Sequence, residues 1–399
     1  MNYLLADTPD ERAWMVPFAA TRALGTLRNG ILTQQERWAR YLGADIALCT
    51  EPYLQPLYAP LPGADTYPAV IHSAWVADKA AAEAVRSLLP GQVLRQGERW
   101  LAGKAAPGKR FFYGEPPLLW GSDFIEYGGP VQWLDRPWHL YLQAKQTVEA
   151  DFDLLTAGRQ SAPLGDAATV LYKPERIFIE EGAKVRAAVL SAENGCIYIG
   201  AGAVVEEGAL VRGSTAICAG ATVNMGAKLR GDNIIGPHCK VGGEVANSVL
   251  LGHSNKGHDG YLGNSVLGAW CNLGADTNTS NLKNNYRNVE LNLGPGKEHV
   301  KTGQLFCGLL MGDHGKAGIN TMFNTGTVVE AGASLYGGGY LPKYAPLFSW
   351  GGEGGRYLLH DIEKMLDTER RVMARRNQEL SPAYEAVLRY LFTEAKARA

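Results

Sequence analysis

Aliphatic side chains recur at every sixth position through the second half of the chain. The longest unbroken series is Ile199, Val205, Val211, Ile217, Val223, Leu229, Ile235 and Val241. An amphipathic helix would repeat every 3.6 residues and a half-buried strand every two, so a period of six indicates neither. Small residues stand four places after the first five of these positions, at Ala203, Ala209, Thr215, Ala221 and Ala227. The pattern predicts a parallel β-solenoid of triangular section, in which each hexad supplies one flat face and one corner.

The six-residue period continues further along the chain, with two interruptions. It returns at Tyr261, Leu267 and Leu273, and again at Leu305, Met311, Ala317, Phe323, Val329, Leu335 and Leu341. The interrupting segments are residues 247–260, rich in His, Lys, Asn and Asp, and residues 279–302, rich in Asn and Lys. Interruptions of a solenoid project as loops, often where ligands bind. We therefore predict a ligand site at these two segments, with two solvated loops as the alternative.

The first part of the chain has a different composition and predicts a mixed α/β domain. Of the 48 glycines, 33 lie between residues 195 and 355, whereas seven of the nine tryptophans precede residue 139. Short apolar runs predict strands at 3–6, 69–72 and 92–94, and periodic apolar positions predict helices at 79–89 and 139–152. The domain organisation expected is an α/β domain at 1–155, a solenoid at 165–345 and terminal helices at 356–399.

Two helices are expected after the last hexad, at 359–377 and from the pair Ser381-Pro382 onward, which suits an N-cap and a first turn. They are expected to cover the open end of the solenoid or to pack on a neighbouring subunit. Four arginines form a basic patch on the first of them, which we interpret as solvated: Arg370, Arg371, Arg375 and Arg376.

Charge and composition exclude several classes of function. A formal net charge of −1 argues against a wide nucleic-acid-binding surface. No stretch approaches the roughly 18 apolar residues of a membrane span, and the N-terminus has no basic flank followed by a long apolar run. The six cysteines are scattered without a C-x-x-C pair, which fits a reducing compartment. We expect a cytoplasmic protein that binds small molecules, with no nucleic-acid or membrane partner and no metal cage of cysteines.

One motif at the first interruption resembles a known family. The run Gly257-His258-Asp259-Gly260-Tyr261-Leu262-Gly263, followed by Cys271-Asn272-Leu273-Gly274-Ala275, is similar to the hexapeptide-repeat acyltransferases. Within that group it resembles above all the bifunctional N-acetylglucosamine-1-phosphate uridylyltransferase / glucosamine-1-phosphate N-acetyltransferase family. The blocks 255–286 and 306–328, with Thr21-Arg22 and the run 28–33, are similar to a divergent bacterial branch of sugar nucleotidyltransferases.

The resemblance implies a mixed fold: an N-terminal α/β nucleotidyltransferase-like domain, a left-handed parallel β-helix and C-terminal helices. It implies a homotrimer with active sites between subunits. It also implies acetyl-CoA as co-substrate and an amino sugar phosphate or nucleotide sugar as acceptor, in the synthesis of amino-sugar and cell-envelope precursors.

Three residues are the candidates for catalysis. His258 matches the family's general base, a role that histidine suits because its unperturbed pKa is about 6.5. Asp259, next to it, could orient the imidazole. His314, in the pair Asp313-His314, is a rival base. For His258 and His314 the alternative is a solvated position on a loop or bend.

Further residues are expected to bind the two substrates. By resemblance, Tyr261 and Asn272 contact the acceptor sugar, Asn281 lies near the acetyl group, and Leu309 stands where the family has a serine near coenzyme A. Ala246 replaces a family lysine that grips the acceptor phosphate, Leu282 replaces a tyrosine, and Lys228 and Arg230 roughly match an acceptor-binding arginine. From their charge, Lys256 and Lys283 are expected to bind the acceptor phosphate, and Lys316 and Lys343 phosphates of the donor.

The first domain leaves an alternative function open. Family nucleotidyltransferases carry a glycine-rich triphosphate loop, roughly L-A-A-G-x-G-T-R-M, whereas this chain reads Leu4-Leu5-Ala6-Asp7 and then Thr8-Pro9-Asp10. Thr21, Arg22 and Arg28 could form a substitute nucleotide site. The alternative is therefore a sugar-1-phosphate nucleotidyltransferase, requiring Mg²⁺, whose solenoid serves as a trimerisation scaffold. A third interpretation is a trimeric scaffold without catalysis.

Overall fold

A computed structural model describes residues 3–61, 68–106, 109, 111, 113–115 and 123–398. It contains an N-terminal α/β domain, a parallel β-solenoid and a pair of C-terminal helices, so the fold class predicted from the sequence is confirmed. None of the helices it describes is long and apolar enough to cross a lipid bilayer.

The N-terminal domain is built on a six-stranded sheet with the order β2-β1-β3-β5-β4-β6. The strands are β1 Tyr3–Ala6, β2 Ile46–Cys49, β3 Ala69–His72, β4 Gln92–Gln96, β5 Arg99–Lys104 and β6 Asp123–Glu126. The helices are α1 Pro9–Trp14, α2 Gln34–Leu42, α3 Lys79–Arg86, α4 His139–Leu142 and α5 Ala144–Thr156. The predicted strands and helices of this domain are thus confirmed, with the last helix divided into two. β1 pairs in parallel with both β2 and β3, so their carboxyl ends share one edge.

The solenoid winds three sheets around one axis. Face A contains β7 Val170–Tyr172, β10 Val189–Ser191, β13 Leu210–Arg212, β16 Lys228–Leu229, β19 Glu244–Ala246 and β22 Tyr261–Gly263. Face B contains β8 Ile177–Ile179, β11 Ile197–Ile199, β14 Thr215–Ile217, β17 Asn233–Ile235, β20 Val249–Gly252, β23 Val266–Ala269, β28 Leu309–Met311, β31 Thr327–Val329 and β33 Tyr344–Ala345. Face C contains β9 Lys184–Val185, β12 Val204–Val205, β15 Thr222–Val223, β18 Lys240–Val241, β21 Asn255–Lys256, β24 Asn272–Leu273, β29 Lys316–Ala317, β32 Ser334–Leu335, β34 Ser349–Gly351 and the antiparallel β35 Tyr357–Leu359.

The solenoid interior is the continuous core that the hexads predict. All eight aliphatic residues of the first series are buried in one cluster along the axis. Two members of the later series, Tyr261 and Leu305, are not part of that cluster. Leu262 is buried there in place of Tyr261, and Leu305 is only partly buried. The expectation that the hexad phase returns at Tyr261 is wrong by one residue, because coils in this region depart from the regular length.

The prediction that the first interruption forms a projecting loop is also wrong. Residues 247–260 contain β20 and β21, which continue faces B and C in parallel register. Lys256 pairs with the inward-facing Val241, so a lysine occupies a core position where the hexad pattern calls for an aliphatic residue. The second interruption does leave the coil. It contains the short strands β26 Glu290–Leu291 and β27 Val300–Lys301, which form an antiparallel pair. The segment begins at the end of β25 Asn278–Thr279, which pairs in parallel with β30 Met322–Phe323.

The N-terminal domain lies on the outer surface of face B. Outward residues of that face, such as Ile234, Val249 and Val266, are fully buried in one cluster with Val148 and Phe152 of α5. Face B is therefore apolar on both sides, which parallel sheets commonly show when other elements cover them.

Two C-terminal helices, α6 Ile362–Ala374 and α7 Pro382–Arg398, pack on the last coils of the solenoid. Asp361 caps the start of α6 by accepting from the backbone N–H of Lys364 at 3.0 Å. The turn directly after α6 approaches face C, where Arg376 Nη2 donates to Asn255 Oδ1 at 2.8 Å. This contact forms a cleft between the helix and the sheet.

Candidate functional site

A cleft with a volume of about 860 Å³ lies between face C and the end of α6. Its floor follows from the strand register, because Lys240, Asn255, Asn272 and Lys316 occupy equivalent outward positions in successive coils. Val372, Arg375 and Arg376 form the wall. None of the residues that line this cleft is a carboxylate. The site therefore favours an anionic ligand.

His258 lies at the rim of this cleft, at the corner that joins β21 to β22. Its side chain is exposed. Asn224 Nδ2 donates to Gly257 O at 2.8 Å and so ties the corner to a lower coil. An exposed imidazole on an anchored backbone can accept a proton from a ligand in the cleft. The neighbouring Asp259 is exposed too, and its backbone carbonyl accepts from Asp276 N at 3.2 Å.

Lys256 supports this corner from inside the solenoid. Its side chain is fully buried, and Nζ donates to the backbone carbonyls of His258 at 2.5 Å and Asp259 at 2.9 Å. Burial lowers the pKa of Lys256 to about 8, although the charges of Asp259 and Asp276 oppose that shift. Lys256 does not line the cleft. This lysine, which we expected to bind the acceptor phosphate, lies under the corner that carries His258 and fixes its backbone.

Replacing Gly260 with alanine should displace the corner that carries His258. Gly260 has φ +108°, and an added Cβ would lie 2.3 Å from Thr277 O. Strained backbone of this kind costs about 1–3 kcal/mol, so we expect a lower free energy of unfolding and reduced turnover. Gly226→Ala is the matched control, since Gly226 has φ +70° but open space around it. Equal effects of the two variants in urea unfolding and in activity would contradict the expectation.

Tyr261 and Asn281, both expected to contact substrate, come together on the other side of the corner. Asn281 Nδ2 donates to the Tyr261 hydroxyl at 3.0 Å and to Asn264 Oδ1 at 2.8 Å. Burial raises the pKa of Tyr261, and the hydrogen bond from Asn281 opposes that effect. The phenol therefore stays protonated and can act as a hydrogen-bond donor at neutral pH.

Lys228 and Arg230 lie on face A, in the same sheet as Tyr261. Lys228, Glu244 and Tyr261 share a register position in successive coils. Arg230 Nη1 donates to Glu244 Oε1 at 2.9 Å, with its own side chain mostly exposed. Face A thus presents a mixed row of charges beside Tyr261, while Asn272 belongs to the cleft on face C.

His314 is fully enclosed, and both of its ring nitrogens have partners. Nδ1 lies 2.6 Å from Glu369 Oε2 and Nε2 lies 2.9 Å from the Tyr384 hydroxyl, on α6 and α7 respectively. The Lys316 ammonium forms an ion pair with the same Glu369. These charges outweigh the opposing effect of burial and lower the pKa of Glu369 to about 2. His314 therefore fastens the terminal helices to the solenoid, and Lys316 lines the cleft while it pairs with Glu369.

Thr21 and Arg22 meet this junction from the N-terminal domain. Thr21 Oγ1 donates to Asp313 Oδ2 at 2.6 Å, and the Arg22 guanidinium forms an ion pair with the same carboxylate. Arg28 binds the carbonyl of Ile31 and the carboxylate of Glu36 inside its own domain. The structure thus places the three residues expected at a nucleotide in contacts that hold the protein together.

The remaining predicted residues lie apart from the cleft. Leu309 is fully buried inside the solenoid core. Lys283 Nζ donates to Asn288 O at 2.9 Å within the second interruption. Lys343 lies beside the last coils, where burial and then the nearby charge of Lys283 lower its pKa. Neither lysine lines the cleft.

A stack of rings borders the cleft at one corner of the solenoid. His238 and His253 stack with ring centroids 4.9 Å apart, and His253 and Trp270 with centroids 4.1 Å apart. All three have positive φ, which is uncommon for residues other than glycine. Burial, with the charges of His238 and Arg376, lowers the pKa of His253 to about 4. His253 is therefore neutral at pH 7 and gives this corner an uncharged aromatic surface.

Sequence reasoning missed four residues that line the cleft: Asn224, Lys240, Arg375 and Arg376. The two arginines were noticeable as part of a basic patch, which we interpreted as solvated. The outward position of Lys240 could have been predicted from the hexad register, because Lys240 directly precedes the inward Val241. The docking position of α6 had no such signal.

Comparison with known proteins shows likeness over segments of the chain. Residues 3–160 match the sugar nucleotidyl transferase family. "Bifunctional protein GlmU" of Methanococcus aeolicus is 33% identical over 86 residues, which are 22% of this chain and 20% of that protein. The "bifunctional sugar-1-phosphate nucleotidylyltransferase/acetyltransferase" of Sulfurisphaera tokodaii is 34% identical over 95 residues, or 24% and 23% of the two chains. Over these segments the chain is similar in sequence to sugar nucleotidyl transferases and to bifunctional GlmU proteins. The matched segment spans about a fifth of the length of the curated relatives.

The N-terminal domain contains a second pocket, at the shared carboxyl edge of β1 and β3, with a volume of about 390 Å³. Five carboxylates line it, together with one histidine and one arginine: Asp7, Asp10, Glu11, Glu98, Glu115, His72 and Arg99. Arg99 is itself paired with Glu11 and with Asp135, at 3.3 and 2.8 Å. Such a lining repels a triphosphate.

The carboxylates of the same pocket are the candidate ligands for Mg²⁺. Asp7 is bound by the Arg12 guanidinium at 2.9 Å and by the Thr50 hydroxyl at 2.6 Å. Among the residues that the structure describes, no group of three or more His, Cys, Asp or Glu side chains could hold a metal ion. The residues present therefore do not fit a preformed magnesium site.

Proposed function

We propose that the protein transfers an acetyl group from acetyl-CoA to the amine of an amino sugar phosphate or nucleotide sugar. The single observation that supports this most is the position of His258, exposed on an anchored corner at the rim of a cleft of about 860 Å³ without a lining carboxylate. Both proposed substrates are anionic, and a cleft lined by lysine and arginine attracts them.

In the proposed reaction, the acceptor amine attacks the carbonyl carbon of the thioester. A C–N bond forms and the C–S bond breaks, while the amine proton passes to the His258 imidazole and CoA leaves as the thiolate. His258 then returns its proton to solvent or to the thiolate. Tyr261, Asn272 and Asn281 are proposed to hold the acceptor with hydrogen bonds, and such positioning raises the effective concentration of the reacting groups. Asp259 is proposed to orient the imidazole once substrate is bound.

Release of free thiol from acetyl-CoA tests this proposal. We expect thiol release that depends on an added amino sugar 1-phosphate or nucleotide amino sugar, and an N-acetylated product by mass spectrometry. The corresponding N-acetylated sugars, which have no free amine, are the matched negative controls. No amine-dependent release with any of these acceptors would overturn the proposal.

The match of residues 3–160 to the sugar nucleotidyl transferase family favours a second candidate. It is the formation of a nucleotide sugar from a sugar 1-phosphate and a nucleoside triphosphate, with release of pyrophosphate. A pyrophosphate assay with added Mg²⁺ tests it separately from the thiol assay. Lack of pyrophosphate release with all four nucleoside triphosphates would reject this candidate and leave acyl transfer standing.

We also propose that the protein assembles as a homotrimer through the solenoid. Support comes from face A, whose lower coils expose the apolar side chains of Val170, Tyr172 and Leu210 by 46–48%, whereas the N-terminal domain covers face B. Sedimentation equilibrium gives the subunit number directly. A monomer at micromolar concentration would contradict this proposal.

A further inference from the structure

Uncompensated positive charge collects at one end of the cleft. Arg375 and Arg376, in the turn directly after α6, and Lys240 on face C all line it. Two arginines within α6 have carboxylate partners, since Arg370 pairs with Glu385 at 2.6 Å and Arg371 with Asp367 at 3.0 Å. Lys316 of the cleft pairs with Glu369, whereas within the described ranges Arg375, Arg376 and Lys240 take part in no ion pair. The positive charge that faces the cleft is therefore available to a ligand.

Arg376 is held in a fixed orientation for such a ligand. Its Nη2 donates to Asn255 Oδ1 at 2.8 Å, and Nη1 lies 3.4 Å from His238 O. The side chain is partly buried, whereas Arg375 and Lys240 are exposed. Because an arginine has five N–H donors in a planar fork, these two contacts leave donors free for a phosphate oxygen. The group is ordered before the ligand arrives, which lowers the entropy cost of binding.

The cleft is also long in the direction of the solenoid axis. Lys240 and Lys316 lie three coils apart on its floor, and neighbouring strands are about 4.8 Å apart, so the floor extends about 14 Å between them. His258 lies at the rim between these ends, next to β21. An extended ligand with phosphates at one end and a reactive group at the other matches this distribution of charge.

We propose that Arg375, Arg376 and Lys240 bind the phosphate groups of the acyl-CoA donor, and that the donor site is completed by the chain's own α6. This inference rests on the proposed acyl transfer. It places the donor phosphates on three residues outside the set expected from sequence, in a cleft whose walls both come from one chain. The thioester end of the donor then extends along face C toward His258.

The test compares CoA binding in matched variants of the full chain. Calorimetry with CoA alone measures the dissociation constant without requiring turnover. A hydrogen bond to a charged group contributes about 1.5–3 kcal/mol, so removing one arginine should weaken binding by about tenfold or more. We expect Arg375→Ala/Arg376→Ala to raise the dissociation constant for CoA at least about 100-fold. Arg370→Ala/Arg371→Ala, within α6, should leave it within about twofold of the parent.

Lys240→Ala is an independent variant on the solenoid, since loss of Arg376 could also loosen α6. It should weaken CoA binding by about tenfold, with an unchanged thermal unfolding midpoint. Acetylpantetheine, which lacks the nucleotide and its phosphates, should be used equally well by the parent, the Arg375→Ala variant and the Lys240→Ala variant. A loss with acetyl-CoA but not with acetylpantetheine assigns the three residues to the phosphates.

The outcomes separate this inference from the function on which it rests. Parental affinity for CoA in both the double-arginine and the Lys240 variants would overturn the phosphate site, even with amine-dependent thiol release intact. Arginine-dependent CoA binding without turnover of any amino sugar would support the phosphate site and overturn the acceptor assignment. A parent protein that binds no CoA would overturn both.

Discussion

Replacing His258 with alanine should lower kcat for thiol release by about 10²–10⁴-fold, the range typical of general base catalysis. The dissociation constant for CoA should change by less than about threefold, because the ring is at the cleft rim and the proposed phosphate contacts are elsewhere. The free energy of unfolding should not change, since the side chain is exposed. Steady-state kinetics with saturating donor, calorimetry and thermal unfolding measure these three quantities.

His299→Ala is the control, because His299 is also exposed, at 88% of its side-chain surface, on the excursion at 279–302. It should retain parental kcat. Full activity of the His258 variant would reject the assigned base while leaving the fold unaffected. Asp259→Asn tests whether Asp259 orients the imidazole. If it does, removing its charge should shift the pH profile of kcat.

Replacing Asp313 with alanine should produce the largest loss of stability, about 3–5 kcal/mol, which is the usual result of removing one partner from a buried ion pair. Asp313 is 1% exposed and accepts from the Thr21 hydroxyl, the Arg22 guanidinium and the backbone N–H of Ala269. Burial alone would raise the pKa of this carboxyl, but the charges of Arg22 and His314 and the hydrogen bonds outweigh it, so the pKa is lowered. Without the carboxylate, Arg22 keeps a mostly buried charge with no partner.

Denaturant unfolding of the Asp313 variant measures this loss. Asp361→Ala provides the control, since Asp361 is an exposed N-cap and its removal should cost much less than the loss of a buried ion pair. The double variant Asp313→Ala/Arg22→Ala should recover part of the loss, because it also removes the unpaired cation. A loss for Asp313→Ala no greater than that for Asp361→Ala would contradict a stabilising role for the junction.

The solenoid could be predicted because its repeat is a property of neighbouring residues. Inward aliphatic side chains at every sixth position and small residues at the corners leave few other folds that bury them all. Three of the six described N-terminal strands, β1, β3 and β4, could be predicted as short apolar runs between turns, whereas β2, β5 and β6 were not predicted. The errors arose where coil length changes, at Lys256 and Tyr261, because a core lysine satisfied by backbone carbonyls cannot be told from a surface lysine by residue type alone.

The candidate site was only half predictable for a related reason. His258 and Asn272 share one cleft because the solenoid register fixes both. Contacts between distant segments were not visible in the sequence, and these decide the positions of His314, Arg22 and Arg376. Nothing local to Thr21-Arg22 indicates a carboxylate almost 300 residues later, and a charged residue that fastens two domains has the same composition signal as one that binds a nucleotide.

The cover that α5 gives to face B has a practical consequence for handling the protein. Cutting the chain after residue 156 would uncover a strip of isoleucine, valine and leucine on the long parallel sheet, including Ile234, Val249, Val266 and Leu310. A bare strip of this kind promotes self-association. The repeat region expressed alone should therefore precipitate or require detergent, and protease digestion of the intact chain should not release it as a stable fragment.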